Sequence, residues 1–202
     1  MLIIRISQLS LLLILVLCLA NTASAQQVDC LQCHDDLTKG KVVHAAVQMG
    51  CGSCHVGVDA SGIPHKFTGK KRGLKADPPE LCYECHSKAE FTKKIQQPPV
   101  AGGMCLSCHV PHSGPNDSLL QKDVPQLCRE CHEDILKKPH VVVVRYLPNG
   151  HALSAREDPN RAGKRFSCLS CHSPHSSDWG KLFRYQAENA QGLCKNCHEF
   201  LQ

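Results

Sequence analysis

Aromatic side chains are scarce. Phe, Tyr and Trp make up 4% of the 202 residues, with one Trp. A chain of this length with so few large rings must find buried apolar area elsewhere or stay marginal. Past residue 25 no apolar run is long enough to cross a bilayer. Charge is not one-sided either, since 23 basic and 18 acidic residues leave a formal +5. Fourteen Gly and 12 Pro punctuate the rest. These shortages argue against a doubly wound enzyme, a TIM barrel, a coiled coil and a polytopic membrane protein. Two residue types are in excess: 15 Cys and 13 His.

Residues 1–25 read as a secretory signal peptide. Arg5 supplies the positive start, Leu9 to Ala20 is apolar with one Ser, and Ala23-Ser24-Ala25 is a small-residue cleavage site. Cys18 follows Leu17 rather than a small residue, so it is expected to leave with the signal and not to carry lipid. The mature chain then keeps 14 Cys and is expected to be exported, periplasmic or extracellular, with no transmembrane segment. In an oxidising compartment those cysteines would first suggest disulfides.

Their spacing suggests something else. All fourteen fall in C-x-x-C-H strings: Cys30, Cys33 and His34; Cys51, Cys54 and His55; Cys82, Cys85 and His86; Cys105, Cys108 and His109; Cys128, Cys131 and His132; Cys168, Cys171 and His172; Cys194, Cys197 and His198. This is the attachment string of c-type haem. Two thiols add to the two vinyl groups, and the adjacent His is carried over the porphyrin to bind iron from the proximal side. Zinc ribbons do not require His after the second Cys. A thioredoxin-like pair needs a βαβ setting that is missing here, and a disulfide scaffold has no use for the His. Chance placement of all seven His is on the order of one in 10⁸. The expectation is seven covalently bound haem c groups, which then supply the apolar mass the chain lacks and couple folding to cofactor attachment.

The motifs fall into three unequal repeats behind one extra motif. The division is 1–25 signal, 26–50 N-terminal segment with the first motif, and paired units at 51–100, 101–139 and 140–202. Second members follow Leu81, Leu127 and Leu193. Asp77-Pro78-Pro79-Glu80 and Asp123-Val124-Pro125-Gln126 are helix-start signals. They predict helices from Cys82 to about Ile95 and from Cys128 to about Lys138; Asn189 is the candidate cap of a third. His140 to Leu147 is the one β-like run. The expected fold is mostly irregular with short α-helices, a haem-packed core and little β structure.

The first members of the second and third units continue as Cys108-His109-Val-Pro-His112-Ser and Cys171-His172-Ser-Pro-His175-Ser. With L-C-x-x-C-H in the second members, this pattern resembles the doubled-CXXCH family of multihaem cytochromes c, from about Lys41 to the C-terminus. The resemblance implies an exported protein whose closely packed haems carry electrons. The first unit departs from it: Cys54-His55 lacks an adjacent Pro-His, and Ile63-Pro64-His65 stands ten residues later.

Six His remain as candidate distal ligands: His44, His65, His112, His140, His151 and His175. Seven irons need seven. In the family-like layout a His precedes the first motif of each pair, and nothing comparable lies between Ser87 and Met104, so the middle pair looks deficient. His140 or His151 could serve it without mending the total. One haem is therefore expected to be Met-ligated, held by another donor, or five-coordinate. Met49 and Met104 sit too close to motif cysteines to reach their own haem easily and read as gap fillers. His112 and His175 each suit a neighbouring haem better than their own.

Mostly bis-His iron has no open position, so the leading reading is a heptahaem electron carrier, not an enzyme. Its partners would be redox proteins, other multihaem cytochromes or an outer-membrane conduit, and not nucleic acid. The alternative is a reductase or oxidase of a small nitrogen or sulfur compound, working at the haem without a distal His.

Overall fold

A computed structural model of the chain describes residues 29–136, 140, 151 and 156–198. The expected signal peptide and most of the β-like run, Val141 to Leu147, lie outside the described residues.

Each motif is one tight turn. The N–H of the His donates to the carbonyl of the first Cys in all seven, from His34 to Cys30 through His198 to Cys194, at 2.9–3.1 Å. This i→i−4 closure puts positions i, i+3 and i+4 on one side of the turn. Both thiols and the imidazole thus leave the backbone together, which is the reason for the spacing.

The remaining elements are short. Helices α1 (Ala45–Gln48), α2 (Glu80–Tyr83), α3 (Pro98–Ala101), α4 (Val124–Arg129), α5 (Cys168–Cys171) and α6 (Ala190–Cys194) run one or two turns. Strands β1 (Val42–Val43), β2 (Val58–Asp59), β3 (Lys66–Phe67), β4 (Ile95–Gln96), β5 (Ser113–Gly114) and β6 (Ser176–Ser177) pair antiparallel as β1–β5, β2–β3 and β4–β6. No hydrophobic residue is buried among the described residues, and Met49 and Met104 are 72% and 56% exposed. The gap-filling reading of those two Met therefore does not hold within the polypeptide. The described residues form a wall of turns without an apolar centre of its own.

Repetition gives the wall its order. After each first-member His the chain turns and returns to form a one-residue bridge, His55 with Leu74, His109 with Leu120 and His172 with Phe183. Matching hydrogen bonds close each bridge: Lys75, Gln121 and Arg184 N–H donate to Cys54, Cys108 and Cys171 carbonyls at 2.8–2.9 Å. The first unit has a longer return, and β2–β3 occupies the excess. That insertion is why its Pro-His stands further from the motif.

A second device links successive units. The segment before a first motif lies as a strap across the Pro-His-Ser string of the next unit. β1 pairs Val42 with Gly114 and Val43 with Ser113; β4 pairs Ile95 with Ser177 and Gln96 with Ser176. Gly40 N–H donates to Ser113 Oγ at 3.1 Å, and Lys93 N–H to Ser176 Oγ at 3.2 Å. Gly40 must be glycine here, because a Cβ would lie 2.4 Å from Gly114 N.

The expected long helices are corrected by these pairings. The first ends at Tyr83 instead of about Ile95, because the backbone of 93–96 is taken by β6. The second ends at Arg129, followed by a turn at Glu133–Leu136. Asp123 caps α4 as expected, its carboxylate accepting from Gln126 N–H at 2.8 Å. Asp77 does not cap α2; Pro79 precedes that helix, and Asp77 holds Lys70 at 2.9 Å. Asn189 Oδ1 accepts from Gly192 N–H at 2.9 Å at the start of α6.

Candidate haem sites

The fold sets six pairs of imidazoles opposite one another, with angles between ring planes from 11° to 64°. Ring centroids lie 5.9 Å apart for His34 and His65, 6.2 Å for His44 and His86, and 6.2 Å for His55 and His112. They lie 5.9 Å apart for His109 and His175, 6.3 Å for His140 and His172, and 5.8 Å for His151 and His198. Every pair joins one motif His to one of the six others. Two imidazoles on opposite sides of one metal, each with a nitrogen about 2 Å from it, would hold their centroids roughly 6 Å apart. The spacing is too wide for direct ring contact and right for an iron between. No imidazole faces His132 among the described residues.

Backbone carbonyls orient the rings. Nδ1 of His55, His109 and His172 bonds the carbonyls of Arg72, Ser118 and Lys181 at 2.9–3.0 Å. On the other side, Nδ1 of His44 and His65 bonds Pro111 and Gly62 carbonyls at 2.9 and 2.8 Å. A carbonyl can only accept, so Nδ1 carries the proton and Nε2 keeps its lone pair for metal. Burial also lowers His112, His140 and His175 from their ordinary pKa, which favours the neutral, ligating form.

The three orienting carbonyls share a cost. Arg72, Ser118 and Lys181 have φ of 59°, 55° and 55°, and the next residues, Gly73, Leu119 and Leu182, are also left-handed. Five of these six residues are not glycine. Non-glycine residues rarely adopt this conformation, at about 1–2 kcal/mol each. The sequence carries no sign of it except at Gly73.

The thiols show how the motifs follow one another. Cys30 is hydrogen-bonded to Cys51, Cys82 to Cys105, and Cys128 to Cys168. Between these contacts, Cys54 lies in electrostatic reach of Cys85, Cys108 of Cys131, and Cys171 of Cys197. Each motif therefore meets the next one in the chain, alternately through first and second cysteines. Burial first, then Cys105, pushes Cys82 up to about 11. The Cys128–Cys168 hydrogen bond raises Cys128 and draws Cys168 down to about 7, one thiol keeping the proton.

Sequence reasoning missed a buried polar knot in the third unit. Asp158, 4% exposed, accepts from Ser170 Oγ at 2.6 Å and Asn160 N–H at 3.0 Å, with Arg161 Nη1 3.6 Å away. Arg161 Nη1 is buried with no hydrogen-bond partner. It is the kind of cation that the propionate of a bound haem would satisfy.

Repeated C-x-x-C-H turns and opposed imidazoles define the class: a multihaem c-type cytochrome, holding haem covalently and built for electron transfer. Within that class the chain belongs to the doubled CXXCH motif family, which it matches at residues 44–91, 98–137 and 158–202. No curated protein matches the chain. Among the described residues, no helix is long and apolar enough to cross a membrane.

Proposed function

We propose that the chain is an exported heptahaem cytochrome that passes electrons between redox partners along haems in the order of their motifs. The six imidazole pairs carry this reading, since each joins a motif His to a His outside the motifs. The 14 cysteines would hold seven haems, and His65, His44, His112, His175, His140 and His151 would complete iron opposite His34, His86, His55, His109, His172 and His198. Bound haem supplies one-electron redox chemistry. The polypeptide sets the path. Thiol contacts between consecutive motifs support an unbranched sequence from Cys30 to Cys194. Pro111-His112 and Pro174-His175 reach back across unit boundaries, so each unit completes a site of the one before it.

The signal-like residues 1–25 support export. Partners at the two ends would be other redox proteins. The enzyme alternative has one supporting observation, the missing imidazole opposite His132. Haem quantified as pyridine haemochrome, with intact mass of the matured protein, tests the proposal. Seven haems per chain are expected; fewer would overturn the count. Loss of the first 25 residues should appear in the same mass.

A further inference from the structure

We infer that Gln97 stands where the distal His of the His132 site would be, leaving there an open iron that binds small diatomic ligands. This inference rests on the heptahaem reading.

The two straps superimpose in hydrogen bonding, residue by residue. Gly40 and Lys93 N–H each donate to the Ser that follows a Pro-His. β1 and β4 pair with β5 and β6 in the same register. The next residue, His44 or Gln97, donates its N–H to the carbonyl of His112 or His175, at 2.7 and 3.1 Å. Each then precedes a four-residue helix, with φ/ψ of −66°/131° at His44 and −68°/134° at Gln97. Both are half-buried.

His44 faces His86, the second-member His of the first unit, at 6.2 Å and 11° between planes. The second-member His of the middle unit is His132. By the repeat, the strap residue assigned to it is Gln97. No other His takes the place, because His140 and His151 face His172 and His198.

Glutamine changes the chemistry of the site. Its amide oxygen is a weak neutral donor beside imidazole nitrogen, so it does not hold iron in the low-spin, six-coordinate state. Its NH₂ is a donor that can bond the outer atom of a ligand bound in its stead. The site is then suited to a compact π-accepting diatomic of the carbon monoxide or nitric oxide type. It lies fifth of seven along the proposed path, so ligand binding there would interrupt the electron route between Cys105–His109 and Cys168–His172.

The experiment uses the matured holoprotein with carbon monoxide as probe. Haem content is fixed first. If fewer than seven haems are found and a peptide mass shows Cys128 and Cys131 unmodified, the heptahaem reading fails. With seven haems present, the oxidised protein should show one high-spin haem by electron paramagnetic resonance, and the reduced protein should bind one carbon monoxide per chain. Gln97→His should abolish both signals and give seven low-spin haems. Gln97→Leu should keep the stoichiometry and release carbon monoxide roughly five-fold faster through the lost hydrogen bond. Seven low-spin haems and no carbon monoxide uptake in the native protein would overturn the inference. So would a Gln97→His holoprotein, fully loaded with haem, that still binds the gas.

Discussion

The Gly40–Gln48 strap and the Lys93–Ala101 strap share their backbone and differ in what they present. Strand register, the serine pin and the bond to the carbonyl of a Pro-His histidine, His112 or His175, are common to both. One presents His44 and the other Gln97. In a repeat protein the backbone device persists while one side chain resets the site it faces.

The strongest way to break this comparison is to make the straps alike. His44→Gln should convert the His86 site into a second open iron. Carbon monoxide uptake should rise from about one to about two per chain, with a second high-spin signal. Haem content should stay unchanged, because Cys82 and Cys85 still attach it. Unchanged uptake would show that His44 does not complete that site.

The third unit differs from the other two through its buried acid. Asp158→Ala would leave the Ser170 hydroxyl proton and the Asn160 N–H without acceptors and the Arg161 guanidinium without Asp158 as counter-charge, costing about 3–5 kcal/mol. Thermal unfolding followed by the haem absorption band should show this loss, with Asp158→Asn recovering part of it. The equivalent motif serines, Ser53 and Ser107, are unconnected to any acid among the described residues, and their Ala variants should sit near the wild type.

Much of this was legible beforehand, for definable reasons. C-x-x-C-H is chemistry written in one helical turn, so local sequence sufficed. The six distal candidates followed from subtraction, and the deficit in the middle pair from the empty stretch between Ser87 and Met104. What escaped was non-local. The Asp77 and Asp123 strings look alike, yet only Asp123 caps a helix, because Asp77 is engaged by Lys70. Helix propensity beyond Tyr83 yields to strand pairing with a segment about 80 residues away. Gln97 gave no signal of its own; the geometry it shares with His44 is visible only in the fold.

The serine pins offer a finer comparison. Ser176 is 1% exposed and both accepts from Lys93 N–H and donates to the Glu90 carbonyl at 2.7 Å. Ser176→Ala removes the partner of two backbone groups at a buried position and should cost about 1–3 kcal/mol. Ser113→Ala, at a half-buried site where water can take over the Gly40 bond, should cost less than about 1 kcal/mol. Equal losses in denaturant titration would mean that burial does not distinguish the two straps.

The smallest effect belongs to the left-handed turns that aim the carbonyls. All three use the same pair of positive-φ positions, but only the first has a glycine, and that glycine is held for a second reason. A Cβ on Gly73 would lie 2.8 Å from the Gly57 backbone and from Val58. Strain at Ser118 is backbone strain alone, since φ is 55° and its side chain makes no hydrogen bond among the described residues. Ser118→Gly should therefore relieve it. Added chain entropy in the unfolded state offsets part of the gain, leaving about 0.5 kcal/mol of net stabilisation. The His109 absorption and spin state should not change, because the carbonyl that accepts from Nδ1 belongs to the backbone and stays in place. A stability gain with an altered spin state would show that the left-handed serine sets the ring's position as well as carrying strain.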